Sequence, residues 1–99
     1  MMEMSNTYIT INHTEEFGGV RGHRVGDKLT LKKDHNNIYD DEAIIAFGKH
    51  DTKCGYVANS VESVARGTVS AGRLYDKIEE SCNAVIQFIL EEKIIASIV

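Results

Sequence analysis

NAVIQFILEEKIIASIV, residues 83 to 99, alternates its side chains, turns through Glu91, Glu92 and Lys93, and runs out through a second apolar stretch. Val85, Gln87 and Ile89 fall on one side, and Ile86, Phe88 and Leu90 on the other, the period of two that a strand imposes. Two such runs around a short polar turn predict a closing hairpin, with Phe88 read as a core residue.

Working back along the chain, the same period recurs. KLTLKK, residues 28 to 33, puts Leu29 and Leu31 on one face and Thr30 and Lys32 on the other. YITIN, residues 8 to 12, is short and β-branched. AIIAF, residues 43 to 47, is a continuous apolar run of strand length, and GKHDT links it to KCGYVA, residues 53 to 58, predicting another hairpin. Residues 13 to 28 carry glycines at 18, 19, 22 and 26, which predicts a long mobile loop. Asn59 stands three positions before Glu62, the spacing of a capping box, so SVESVAR (60 to 66) is expected to be a short helix stopped at Gly67. Leu74 and Ile78 suit a second short helix from about Arg73 onward, after the interruption at Gly72. The expected fold is mainly β: a six-stranded OB-like or SH3-like β barrel, with one or two short helices between strands 4 and 5. Alternating βαβ units are absent, which argues against a doubly wound sheet.

At 99 residues the chain is long enough for one small core, so residues 1 to 99 are read as a single domain. A hydrophobic fraction of 42% with 26% charged residues separates it from disordered chains. The net charge of -4 argues against a protein that coats duplex nucleic acid, because that work needs many cations to displace counterions. A contact with a few phosphates or a strand end survives that argument. The N-terminal stretch lacks a basic start followed by an apolar run, and no segment approaches the ~18 apolar residues of a membrane span. A cytoplasmic location without membrane association is expected. Cys54 and Cys82 form no CxxC pair and read as reduced thiols. His50 and Cys54 share a four-residue spacing, but the flanking Gly48 and Gly55 make the segment a turn, and no second ligand pair follows. No metal or cofactor is implied. Neither a nucleophile beside a base nor a phosphate-binding loop is present, so catalysis is not expected.

One stretch remains, NNIYDDEAIIAFGKHDTKCGYVANS, residues 36 to 60. Asn37, Tyr39, Asp40, Ala43 and Ile44, followed after the hairpin by Gly55-Tyr56-Val57, resemble the motif of the HIRAN domain family. GYVANSVESVARGTVSAGRLYDKI looks like the short stand-alone members found in Gram-positive bacteria. The resemblance runs from about Tyr8 to Val99, and its motifs concentrate in residues 36 to 78. It implies a six-stranded barrel related to the OB fold. From the fork-remodelling members it also implies recognition of a single-stranded DNA end with a free 3′-hydroxyl, in DNA repair or replication. There the Tyr-Asp pair, here Tyr39 and Asp40, sits at the end pocket, the aromatic on a nucleotide and the carboxylate accepting from the hydroxyl. Those members also place an arginine and aromatics in the loop after the first strand. HTEEFGGV, residues 13 to 20, keeps an aromatic in Phe17 but has Glu15 and Glu16 where a cation would stand, and Ile38 replaces a frequent proline.

The chemistry of the two residues agrees with that role. An ionised aspartate only accepts hydrogen bonds, so it welcomes a hydroxyl and repels a phosphate. A tyrosine face gives base stacking worth ~1–3 kcal/mol without sequence preference. A plainer reading stands beside it, in which Asp40 caps a turn and Tyr39 covers the core. The residues expected to bind nucleic acid are Tyr39, Asp40, Phe17, Asn37, Tyr56 and Lys33, with Arg21, Arg24 and Lys32 as further cations. The alternative function is a protein-interaction or adaptor domain that uses the same groove or a strand edge for a protein partner.

Overall fold

A computed structural model describes residues 7 to 99; residues 1 to 6, part of the stretch read for a leader, lie outside them. The alternating runs form β1 (Tyr8–Asn12), β2 (Lys28–Lys33), β3 (Ile44–Phe47), β4 (Lys53–Val57), β5 (Ser81–Ile89) and β6 (Ile94–Ile98). They close into an antiparallel barrel in the order β1-β4-β3-β2-β5-β6, with β6 returning to β1. One short helix, α1 (Ala71–Tyr75), lies between β4 and β5 and adds Ala71 and Leu74 to a core of Ile9, Ile11, Leu31, Ile44, Ile86 and Ile94. Alanines at 46, 84 and 96 alternate with these isoleucines, the mixture of small and large side chains that a narrow barrel interior takes. Among the described residues no helix is long and apolar enough to cross a membrane.

The seam between β1 and β4 closes the ring and is short. It pairs Ile11 with Val57 and Asn12 with Tyr56. At Gly55 a Cβ would lie 2.4 Å from the Asn12 carbonyl oxygen and 2.9 Å from Ile11 Cγ2. Only glycine lets the two backbones meet there.

The capping-box helix expected over residues 60 to 66 does not form. Its segment is a strap of two turns, closed locally by Ser60 with Ser63 and by Ala65 with Thr68, and tied to β1 by its remaining polar groups. Thr10, fully buried on the outer side of β1, contacts Thr68 Oγ1 at 2.8 Å and accepts from the Ala65 N–H at 3.1 Å. The Val69 N–H donates to the Tyr8 carbonyl at 2.8 Å. Val61, 95% exposed, has no core to face, so the segment lacks the apolar stripe that would stabilise a helix. The helix that does form starts two residues before the expected Arg73, with Ser70 Oγ accepting from the Arg73 N–H and Gly72 inside its first turn.

Two smaller expectations also change. The loop after β1 opens with a 3-10 turn, Thr14–Phe17, whose buried Thr14 hydroxyl donates to the Glu92 carbonyl at 2.8 Å. Phe88 is 59% exposed and outside the core. A register shift between Ile86 and Phe88 inserts Gln87 as an extra residue, so the inward series runs Ala84, Ile86, Ile89.

Gly55→Ala is expected to destabilise the fold by about 1–3 kcal/mol, because the methyl group collides with backbone on the facing strand. Thermal unfolding followed by circular dichroism should show a fall of roughly 5 °C or more, and an unchanged midpoint would contradict the close seam.

The thiols give a second expectation. Burial pushes both Cys54 and Cys82 above the ordinary thiol pKa, and Cys54 Sγ donates to the Thr52 carbonyl at 3.6 Å. Both are free. Alkylation at neutral pH, read by intact mass, should be slow in the native protein and complete for both thiols in denaturant. A raised folded-state pKa means that stability is retained below the unfolded thiol pKa and declines as pH rises through it.

Candidate functional site

The β2–β3 connection carries the Tyr-Asp pair, and its shape is set by three Asx side chains in series. Asp34 Oδ1 accepts from the Asn36 N–H at 3.2 Å. Asn37 Oδ1 accepts from the N–H groups of Tyr39 and Asp40 at 2.8 and 3.0 Å. Asp40 Oδ1 accepts from the Glu42 N–H at 2.9 Å. Each side chain replaces a backbone partner that neither helix nor ladder would supply. The Asp34 N–H closes the loop on the Ala43 carbonyl at 2.8 Å.

Asn59 ties this turn to the helix. Its Nδ2 donates to Asp40 Oδ2 at 3.0 Å, and its Oδ1 accepts from the Gly72 N–H at 2.8 Å. It therefore caps α1 from a distance, a role the Asn59–Glu62 spacing concealed. A Cβ at Gly72 would lie 2.5 Å from Glu42 Oε1 and 3.3 Å from Asn59 Oδ1, so helix and turn meet at glycine.

Between the turn, the β1–β4 seam and the strap runs a groove of about 470 Å³. Asn37, Tyr39 and Asp40 form one wall, Asn12, Tyr56 and Val57 belong to the seam, and Ser60 and Ser63 come from the strap. His13 and Glu16 also line it, paired at 2.8 Å between Nδ1 and Oε2. The structure thus gathers four of the sequence-derived residues, Asn37, Tyr39, Asp40 and Tyr56, around one cavity. Phe17 stands behind the lining, its ring 6.0 Å from that of Tyr56. Lys33 is not part of the lining; its ammonium sits 4.1 Å from the centroid of the Tyr75 ring, and Lys32 lies 5.1 Å from that of Phe47. Arg21 and Arg24 are exposed in the glycine-rich loop and do not line the groove either.

Tyr39 is 92% exposed, with Ile38 beside it at 85%. It does not cover the core. Asp40 supports a turn and also lines the groove. The groove residues that sequence reasoning passed over are Asn12, His13, Asn59, Ser60 and Ser63; Glu16, read as an acid where a cation would stand, lines the groove as well. Asn59 and the serines were absorbed into the expected helix, and a strand-end asparagine such as Asn12 carries no local signature. The groove lining carries the Asp40 carboxylate and the Glu16 carboxylate paired with His13, and no lysine or arginine, while the Lys93 ammonium sits 3.4 Å from the carbonyl oxygen of Ser63.

Asn59→Ala removes the acceptor for the Gly72 N–H and one partner of Asp40. It is expected to cost about 1–3 kcal/mol, and amide exchange should speed up at Gly72 while the β5–β6 ladder stays protected. Uniform loss of protection would mean that the link is not local.

No protein-family model matches this chain, and neither a curated protein nor a solved structure matches it.

Proposed function

We propose that this barrel is a cytoplasmic, non-enzymatic module that binds the 3′-hydroxyl end of single-stranded DNA in its groove, in repair or replication. The observation that carries the reading is Tyr39, 92% exposed on a turn that side-chain hydrogen bonds hold in place, beside a carboxylate that lines the groove. An aromatic face left in water has area to gain from a base, and stacking needs no sequence preference. The resemblance of Asn37, Tyr39, Asp40, Ala43 and Ile44 to the HIRAN motif supports the same assignment.

The charge of the lining favours an end over an internal segment. Glu16 and Asp40 repel phosphate and accept from hydroxyls, and no lysine or arginine lines the groove to neutralise a backbone passing through it. On this reading a terminal nucleoside enters first. Few neutralised phosphates mean a shallow salt dependence.

A second reading has its own support. Two carboxylates in a groove shared with exposed Tyr39 also suit a cationic side chain of a protein partner, held by charge and by the ring face. The two readings part in one titration. Fluorescence anisotropy with a short deoxyoligonucleotide should show binding with a 3′-hydroxyl and markedly weaker binding with a 3′-phosphate. Tyr39→Ala should lower affinity about tenfold, from the stacking term, while leaving the melting temperature nearly unchanged because the ring is exposed. Equal affinity for both ends, or an unaffected Tyr39→Ala, would discard the end-binding reading and leave the protein partner.

A further inference from the structure

We infer that the groove reads a pair of neighbouring hydroxyls, and so prefers a strand whose 3′-terminal sugar is a ribose over one that ends in deoxyribose. This rests on the reading that a strand end enters the groove, and it names the kind of end.

Asp40 carries the inference. Its Oδ1 holds one protein bond, from the Glu42 N–H at 2.9 Å, and its Oδ2 holds one, from Asn59 Nδ2 at 3.0 Å. A carboxylate has about four acceptor sites, so each oxygen keeps capacity for a ligand. Two oxygens on one planar group are spaced to accept from two adjacent hydroxyls at once, the acceptor half of a bidentate pair. A deoxyribose end offers one hydroxyl and leaves the second oxygen without its partner. The Asn59 and Glu42 bonds also fix the carboxylate plane, so the pairing needs little ordering on binding.

The rest of the lining fits a hydroxyl-rich ring. The Asn12 side chain makes no hydrogen bond to the described residues, and Asn37, whose oxygen accepts twice from the backbone, has its amide donor free of them. The Ser60 and Ser63 hydroxyls lie 2.7 Å apart on the facing wall. The amide donors of Asn12 and Asn37 can serve sugar oxygens, the serine hydroxyls, already donating to each other and to the Ser60 carbonyl, can only accept, and the 2′-hydroxyl is the group by which a protein tells RNA from DNA.

The test uses the full chain and one fluorescent deoxyoligonucleotide made with four 3′ termini: deoxyribose, a single ribose, a 2′-O-methyl ribose and a 3′-phosphate. The ribose end is expected to bind about tenfold tighter than the deoxyribose end, the value of one added charge-assisted bond. The 2′-O-methyl end should fall back to the deoxyribose affinity, since its oxygen no longer donates. Asp40→Asn should erase the ribose preference, because one of its two atoms becomes a donor; Asn12→Ala, which removes no side-chain hydrogen bond among the described residues, should weaken both sugar ends. The arms with the unmodified protein decide the matter should Asp40→Asn fail to fold. Equal affinity for ribose and deoxyribose ends overturns this inference and leaves end binding intact. Binding of neither overturns both.

Discussion

The close approach of Gly55 to the Asn12 carbonyl is the constraint on which the rest of the molecule depends. β1 is the strand that joins the two ends of the sheet, and its register with β4 rests on two residue pairs. A side chain at Gly55 would meet backbone at 2.4 Å, and backbone on both sides of a seam cannot step aside as a rotamer can. The same seam contributes Asn12, Tyr56 and Val57 to the groove. Barrel closure and groove therefore share one cause: a glycine that lets two strands come together where their neighbours carry the groove's polar and aromatic groups.

The turn above the seam achieves order without a core. Ten residues between β2 and β3 (34 to 43) would ordinarily be costly to fix, since each ordered residue loses about 1–2 kcal/mol of backbone entropy. Asp34, Asn37 and Asp40 offset part of that loss with local side-chain bonds to backbone N–H groups. Because these oxygens do the holding, Ile38 and Tyr39 are released from packing duty and stand in solvent. Asn59 then fastens the turn to α1, so that displacement of either element disturbs the other.

The barrel was legible because strand periodicity and apolar runs survive into tertiary structure; Leu29 and Leu31 face inward as KLTLKK implies, and IIAF is buried over Ile44–Ala46. What failed were signals that depend on partners distant in sequence. Asn59 and Glu62 have capping-box spacing, but Thr10, some fifty residues earlier, claims the strap's polar groups through Thr68 and the Ala65 N–H. Phe88 was misplaced because a single extra residue at a bulge inverts every later side chain, and no local composition announces that insertion. At the groove, the Tyr-Asp pair was visible as polar residues against a strand, whereas Asn12 and the serines become groove residues only through the closure of the ring.

The acidity of the chain, set against single-strand binding at first sight, follows a coherent logic once the cations are located. Lys32 and Lys33 lie over the rings of Phe47 and Tyr75, away from the groove lining, and the net charge of -4 gives no general attraction for a polyanion. Long-range repulsion is screened within about 8–10 Å at physiological ionic strength, whereas a hydroxyl-to-carboxylate bond and a stacked ring act at contact. On the proposed end-binding reading, such a lining would disfavour the interior of a strand, where every sugar is flanked by phosphates, more than the terminus, where one is missing. The proposed selectivity for an end and the shallow salt dependence proposed with it would then follow from the same placement of charge.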